Sequence, residues 1–275
     1  MDKYAGIKKR ILEYTDKDED IKAIITIGSS ARTDVSADEF SDLDLIIATE
    51  NPEKWFSGEY PEKFGDVSIS FIEPTLGGGK ERRIIYDEDK DVDMILFTPE
   101  QFADNIKNGV AQWIMNRGYY VMYDSGRFTE LIRQYVSNGY SAPEISETEY
   151  VNIVNDFYFH NIWACKKLKR GELWAAKMCI DAYLKNYLRK MIELYCFYQK
   201  GADVWHDGRF LDRWADDDIL MELKYGFAHY EKDDMLSALR ETHNLFDRMS
   251  KAVAQILGYK YPQQAKKCAE RFIYR

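Results

Sequence analysis

The sequence predicts an α+β protein in which a mixed sheet with flanking helices precedes a helical bundle. β-branched and aromatic runs of strand length lie before residue 145, and long stretches of helical periodicity follow it. Residues 137–144, rich in Ser, Asn, Gly and Pro, separate the two patterns. We therefore predict one domain over residues 1–145 and a second over residues 146–275.

The first half predicts five strands and three helices. Runs of strand length and composition occupy residues 21–27, 43–48, 67–72, 92–97 and 119–123. Helical stretches flank them at residues 3–14, 99–108 and 127–137. Pro99 followed by Glu100 is a typical helix start, because proline suits the first helical position.

The second half predicts helices throughout. Apolar residues recur at three- and four-residue spacing over residues 147–169, 173–199, 217–230 and 235–257. Gly171, Gly201 and Gly258 fall at the expected helix ends. The pattern is that of a helical bundle.

The composition excludes several classes of protein. Of 275 residues, 45% are hydrophobic, which is enough for a core and excludes disorder as the dominant state. The 38 basic and 47 acidic residues give a net charge of −9, and we expect no nucleic-acid partner, because such binders need a clustered basic face. The charge is compatible with a cationic small molecule.

The sequence also predicts a cytoplasmic protein without a membrane partner. Its first ten residues lack the apolar segment of a signal peptide, and no apolar run is long enough to span a bilayer. The four cysteines lack CxxC spacing and lie in apolar helical sequence. We expect them to be buried free thiols.

A Gly-Ser pair follows the first predicted strand. Gly28 permits a tight turn, and the amides and hydroxyls that follow it can point at a phosphate. Taken alone, Gly28 and Ser29 are equally typical of an ordinary strand-to-helix turn. The second glycine-rich segment, Leu76-Gly-Gly-Gly-Lys80, lacks the spacing of a phosphate-binding loop and predicts a flexible hairpin or a loop on the substrate side.

Three aspartates are candidate metal ligands. Asp42 and Asp44 begin the second predicted strand, where residues two apart project from one face, so their like charges call for a cation such as Mg²⁺. Solvated residues at a strand end are the alternative. Asp93 lies deeper in a predicted strand, where an unpaired charge is costly, whereas Asp91 suits a hairpin surface.

This order of Gly-Ser, Asp-x-Asp and a later strand Asp resembles the nucleotidyltransferase superfamily that includes DNA polymerase beta. Residues 23–32 and 40–45 are similar, more narrowly, to the aminoglycoside 6-adenylyltransferases, which modify streptomycin. In the helical half the similar segments are residues 157–172, 180–182, 208–211, 246–251 and 253–262. The resemblance implies an N-terminal nucleotidyltransferase domain with a polymerase-beta-like sheet and a C-terminal helical domain that closes over nucleotide and substrate.

The resemblance implies transfer of AMP from ATP to a drug hydroxyl, with release of pyrophosphate. Asp42 and Asp44 would hold Mg²⁺ against the triphosphate. Asp93 matches the third acid of the family and is expected to act as general base for the substrate hydroxyl and also as a metal ligand. Gly28 and Ser29 would bind the departing phosphates.

Four further residues receive expected roles. Arg32 either contacts phosphate or pairs with Asp42. By the same resemblance, Lys166 and Arg209 are expected to bind the nucleotide, although Lys166 also suits a solvated helix face. Asp181 lies in an apolar stretch, which favours a role with a cationic substrate.

Three functions stay open at this point. The first is an aminoglycoside adenylyltransferase that uses Mg²⁺ and ATP. The second keeps the chemistry but modifies another molecule, such as a lincosamide, a nucleotide or a protein side chain. The third, a catalytically silent nucleotide-binding relative, is disfavoured because every motif residue is present. The net charge of −9 favours the first, since streptomycin carries two guanidinium groups. The sequence makes no prediction of the oligomeric state.

Overall fold

A computed structural model describes residues 2–32, 37–137, 139, 143–204 and 206–274. The chain divides into two compact units, residues 1–141 and 142–275. Residues 138 and 140–142 of the predicted linker lie outside the described part of the chain.

The first unit is built on a six-stranded sheet in the order β3-β4-β5-β2-β1-β6. Strands β2 and β5 run parallel, and every other neighbouring pair is antiparallel. This arrangement confirms the predicted mixed sheet. The strands are β1 (Ile21–Ile27), β2 (Leu43–Thr49), β3 (Val67–Pro74), β4 (Lys80–Tyr86), β5 (Lys90–Phe97) and β6 (Tyr120–Asp124).

Strand β4 was not predicted, because four charged residues open it. Arg82 occupies a position on the buried face of the strand, where alternation calls for an apolar residue. Its Nη1 donates to the carbonyls of Trp55, at 3.0 Å, and Ser57, at 2.8 Å. Hydrogen bonds to these loop carbonyls allow the arginine to be buried. The strand therefore lacks the apolar residue at this position that a sequence pattern would need.

Four helices flank the sheet in the described part of the first unit. On one face, α1 and the short turns of residues 52–64 pack against the strands. On the other, α2, α3 and α4 pack against a cluster that includes Ile46, Ala48 and Phe97. Asp44 and Asp93 project from this second face, since side chains alternate along a strand. The helices are α1 (Ala5–Thr15), α2 (Pro99–Lys107), α3 (Gln112–Met115) and α4 (Phe128–Tyr135).

The described part of the second unit is helical, which confirms the predicted helical C-terminal half. The continuous helix predicted over residues 173–199 is interrupted by a π-helical turn, Cys179–Tyr183. A last helix, α11, was not predicted. The helices are α5 (Glu147–Lys169), α6 (Leu173–Met178), α7 (Leu184–Lys200), α8 (Leu211–Trp214), α9 (Asp217–Tyr225), α10 (Lys232–Leu257) and α11 (Gln263–Ile273).

The cysteine prediction is right for three residues and wrong for one. All four cysteines are free thiols, and Cys165, Cys179 and Cys196 are buried. Cys268 is exposed, because it lies on the outer side of α11, the helix that the sequence pattern did not reveal. None of the helices in the described part of the chain is both long and apolar enough to cross a bilayer.

Candidate active site

The turn after β1 brings the backbone close to a carboxylate. Gly28 has a φ of +65° and begins a 3₁₀ turn, Gly28–Ser30. A Cβ at this position would collide with the Oδ2 atom of Asp44. Glycine is therefore required twice, for the left-handed backbone and for the approach to Asp44.

The structure brings the three predicted aspartates together. Asp44 lies directly beside Asp93 in the parallel register of β2 and β5, and Asp42 precedes β2. One carboxylate oxygen from each of the three lies within 4.8 Å of the other two. The pairing of β2 with β5 thus brings together Asp44 and Asp93, which are about fifty residues apart in the sequence.

These three carboxylates suit a magnesium ion. Mg²⁺ prefers oxygen ligands, and three acids at this separation repel one another unless a cation lies among them. Asp93 is only 6% exposed, and its Oδ1 atom accepts no hydrogen bond from any described residue. A buried carboxylate oxygen without a donor is costly, and coordination to a metal would satisfy it.

Asp93 differs from an ordinary aspartate in its basicity. Burial raises the pKa of its carboxyl to about 8, Arg83 opposes the rise, and Glu81 and Asp44 add to it. Cations bound beside it would favour the ionised form. The group therefore combines a raised proton affinity with a position at the acid cluster, as a general base requires.

Hydroxyl groups hold Asp42 from two sides. Ser29 Oγ lies 3.3 Å from Asp42 Oδ1, and Ser30 Oγ lies 3.2 Å from the Asp42 carbonyl. Tyr4, buried at the start of α1, donates its hydroxyl to the carbonyl of Ser41 at 2.6 Å. Burial raises the pKa of Tyr4 above its usual range, so the donor stays protonated. These contacts fix the loop that delivers Asp42 to the cluster.

Arg32 follows the Gly28 turn. Its amide donates to the carbonyl of Gly28 at 3.1 Å. Gly118, with a φ of +138°, packs against the backbone of Ala31 and Arg32, where a Cβ would collide with the Ala31 carbonyl. The backbone is thus held firmly, and the expected contact of Arg32 with phosphate stays a prediction.

The three residues predicted in the second unit occupy different places. Lys166 is exposed on α5, with its Nζ 5.2 Å from the centre of the Phe272 ring. Asp181 lies in the π-helical turn, accepts from Lys177, and leaves its buried Oδ1 atom without a hydrogen bond from any described residue. Arg209 is exposed and packs over Phe210. Their expected roles stay predictions.

A cavity of about 750 Å³ lies in the second unit beside Gly208. Its lining combines the cations Lys185, Arg189 and Lys190 with apolar side chains such as Phe227. Burial lowers the pKa of Lys185 to about 8, and its Nζ donates to Thr242 at 2.7 Å. The cavity offers basic groups and an aromatic surface together.

Sequence reasoning missed several residues of both regions. Tyr4 and Lys185 are ordinary members of amphipathic helices in the sequence, and only tertiary contacts reveal them. Glu81 and Arg83 lie on the unpredicted strand β4, next to Asp93. Read as a strand, residues 80–86 place Glu81 and Arg83 on one face and Arg82 on the other. This alternation was the one signal in the sequence that could have indicated them.

Comparison with known proteins identifies the family. A model of the family described as streptomycin adenylyltransferase matches residues 1–275. The chain belongs to the streptomycin adenylyltransferase family. Membership confirms the family resemblance of the sequence and makes the protein a nucleotidyltransferase by class.

Three similar proteins share between 14% and 22% sequence identity with this adenylyltransferase. The aminoglycoside 6-adenylyltransferase of Bacillus subtilis (strain 168) is 22% identical over 263 residues, covering 91% of this chain and 90% of the relative. A solved aminoglycoside 6-adenyltransferase from Bacillus subtilis is 20% identical, with a TM-score of 0.47 and coverage of 98% and 97% of the two chains. A nucleotidyltransferase-like protein from Exiguobacterium sibiricum is 14% identical, with a TM-score of 0.33 and coverage of 92% and 78%.

Proposed function

We propose that this protein transfers AMP from Mg²⁺-bound ATP to a hydroxyl of a streptomycin-like aminoglycoside and releases pyrophosphate. The observation that carries the proposal is the cluster of Asp42, Asp44 and Asp93 beside the Gly28 turn. It supports adenylyl transfer, the activity for which the family is named.

Asp42, Asp44 and Asp93 would hold Mg²⁺. When bound, the ion neutralises the charge of the triphosphate and orients the α-phosphorus for in-line attack. The backbone amides that follow Gly28, together with the hydroxyl of Ser29, bind the departing β- and γ-phosphates. Arg32 adds a charge-assisted contact to the same phosphates.

Asp93 performs the proton transfer. It takes the proton of the acceptor hydroxyl while the hydroxyl oxygen forms its bond to the α-phosphorus. The bond from that phosphorus to the bridging oxygen breaks, and its electron pair leaves with pyrophosphate. The buried position of Asp93 supports this role, because it excludes water from competing for the base.

Residues of the second unit bind the two substrates. We assign Lys166 and Arg209, whose side chains are both exposed, to the nucleotide. Asp181, with one buried oxygen free of described donors, is assigned to a cationic group of the acceptor.

The test is an assay of the purified protein with ATP, Mg²⁺ and a panel of aminoglycosides. We expect pyrophosphate release with streptomycin, together with an adenylylated drug in the mass spectrum. Pyrophosphate release that requires a lincosamide or another acceptor would support adenylyl transfer but refute an aminoglycoside as the acceptor. Absence of release with every aminoglycoside would contradict the proposal.

A further inference from the structure

A guanidinium group of the chain itself lies among three carboxylates beside the active site. Arg83 on β4 faces Asp93 across the β4–β5 pair. Its Nε lies 2.7 Å from Glu73, 2.9 Å from Glu81 and 3.7 Å from Asp93. Glu73, Glu81 and Asp93 together form what we term the acidic cradle, which spans β3, β4 and β5.

The acidic cradle holds more negative charge than Arg83 can balance. One guanidinium faces three carboxylates, which leaves an excess of two negative charges when all are ionised. Glu73 and Glu81 are also directly opposite in the β3–β4 pair, an arrangement that destabilises a sheet when the charges are alike. A second cation would remove this repulsion.

The cradle is open to solvent at one end and closed at the other. The side chains of Glu73 and Arg83 are 41% and 44% exposed, whereas those of Glu81 and Asp93 are 10% and 8% exposed. At the closed end, the Oδ2 atom of Asp93 lies 3.7 Å from Arg83 Nε. A molecule that enters from the open end therefore meets Glu73 first and has its far side at the proposed general base.

An apolar surface adjoins the open end. Ile69, Phe71 and Glu73 lie on the same face of β3, because they are two residues apart. Ile69 and Phe71 are 58% and 50% exposed. Exposed edge strands are usually protected by charged side chains, and β3 instead presents an aromatic ring there. Acidic groups next to an aromatic ring suit a ligand that carries cationic groups on ring carbons.

The turn between β3 and β4 holds these groups in place. Gly77 has a φ of +80°, and a Cβ there would collide with Asn105 of α2. Asn105 is buried and donates its Nδ2 to the Gly77 carbonyl at 3.1 Å. The glycine-rich segment thus anchors the hairpin, so the acidic cradle is arranged before any ligand binds.

We propose that Glu73 and Glu81, with Phe71 beside them, determine acceptor specificity by binding a guanidinium or ammonium group of the acceptor. This inference rests on the proposed function and adds a subsite to it. The cation pairs with Glu73 and Glu81 alongside Arg83, the acceptor ring packs on Phe71, and the acceptor hydroxyl is placed at Asp93.

Steady-state kinetics with streptomycin and Mg²⁺-ATP test the subsite. Glu73→Gln removes one charge from a half-exposed side chain, and we expect the KM for streptomycin to rise by about tenfold, the effect of losing a charge-assisted contact. The kcat and the KM for ATP should stay within about twofold, because Glu73 does not touch the nucleotide or the reacting atoms. Glu62→Gln, an exposed substitution of the same charge in the same unit, should leave all three parameters unchanged.

Binding calorimetry with streptomycin alone separates the possible failures. If the wild type adenylylates streptomycin but Glu73→Gln leaves its KM unchanged, the subsite is refuted and the proposed function stands. If no aminoglycoside is adenylylated, the proposed function fails. In that case, the subsite is still supported if the wild type binds streptomycin and Glu73→Gln weakens this binding. The subsite is refuted if the wild type does not bind streptomycin.

Discussion

Gly28 brings the backbone of the turn after β1 close to the carboxylate of Asp44. We predict that Gly28→Ala lowers kcat/KM by more than about tenfold, because the new methyl group must displace Asp44 and the backbone must keep a strained positive φ. Magnesium-dependent ATP binding, measured by calorimetry, should weaken in parallel.

A second glycine distinguishes the effect of backbone strain from that of the collision with Asp44. Gly109 has a φ of +91°, and a Cβ there would meet no atom within 4 Å. Gly109→Ala should therefore lose some stability and keep its ATP affinity. Equal loss of ATP affinity in the two variants would show that the approach to Asp44 is unimportant.

His243 predicts how the stability of the second unit depends on pH. It is 1% exposed, and burial lowers its pKa to about 4, with Lys266 and Lys251 acting in the same direction and Glu270 and Asp247 opposing them. Between that value and the ordinary 6.5, the unfolded chain binds the proton and the folded chain does not. The contribution of neutral His243 to the free energy of unfolding is therefore fully present above pH 6.5 and is lost as the pH falls towards 4.

Urea unfolding at several pH values measures this contribution. Relative to His243→Asn, the wild type should lose about 2 to 3 kcal/mol of unfolding free energy between pH 6.5 and pH 4. His229→Asn is the control, since the His229 side chain is 92% exposed. An identical pH dependence for wild type and His243→Asn would contradict the prediction.

Residue by residue, the sequence revealed the acids better than their surroundings. Asp42, Asp44 and Asp93 could be proposed because a carboxylate in an apolar strand is conspicuous. Arg83 could not, because its importance comes from lying opposite Asp93 on a strand whose charges concealed it. Long-range register is the information that a single sequence lacks.

Among the elements, those with regular periodicity were predictable and those with irregular geometry were not. The strands β1, β2 and β5 follow their apolar runs closely. The π-helical turn Cys179–Tyr183 continues the helical spacing of the sequence, and only hydrogen bonding distinguishes it from α-helix. That turn carries Asp181, so this unpredicted irregularity coincides with a proposed binding residue.

The start of α5 illustrates an element that depends on one cap. Ser146 accepts from the amide of Glu149 at 3.3 Å, and Glu149 accepts from the amide of Ser146 at 2.9 Å. We predict that Ser146→Ala lowers the unfolding free energy by about 1 kcal/mol, because an amide of the first turn loses its acceptor.

Thr148→Ala, an exposed change two residues further along the same helix, should shift the unfolding free energy by less than about 0.5 kcal/mol. Denaturant unfolding monitored by circular dichroism compares the two variants. Equal stability of both would show that the cap does not stabilise α5.

At the scale of the molecule, the register of the sheet explains why Asp44 and Asp93 lie side by side. Within the first unit, α1 and its neighbouring turns pack on one face of the sheet, and α2, α3 and α4 pack on the other. Asp44 and Asp93 project from that second face, and Arg83 of β4 lies beside Asp93 on the same face. The net charge of −9 would attract a cationic acceptor of the kind that we propose.

We propose that Asp93 serves adenylyl transfer to an aminoglycoside. Mass spectrometry of streptomycin incubated with ATP, Mg²⁺ and either wild type or Asp93→Asn tests it most directly, with calorimetry of ATP binding as the control for folding. We predict adenylylated streptomycin with the wild type, and with Asp93→Asn a loss of at least about a hundredfold in turnover and largely retained ATP affinity. Near-normal turnover by Asp93→Asn would contradict the account.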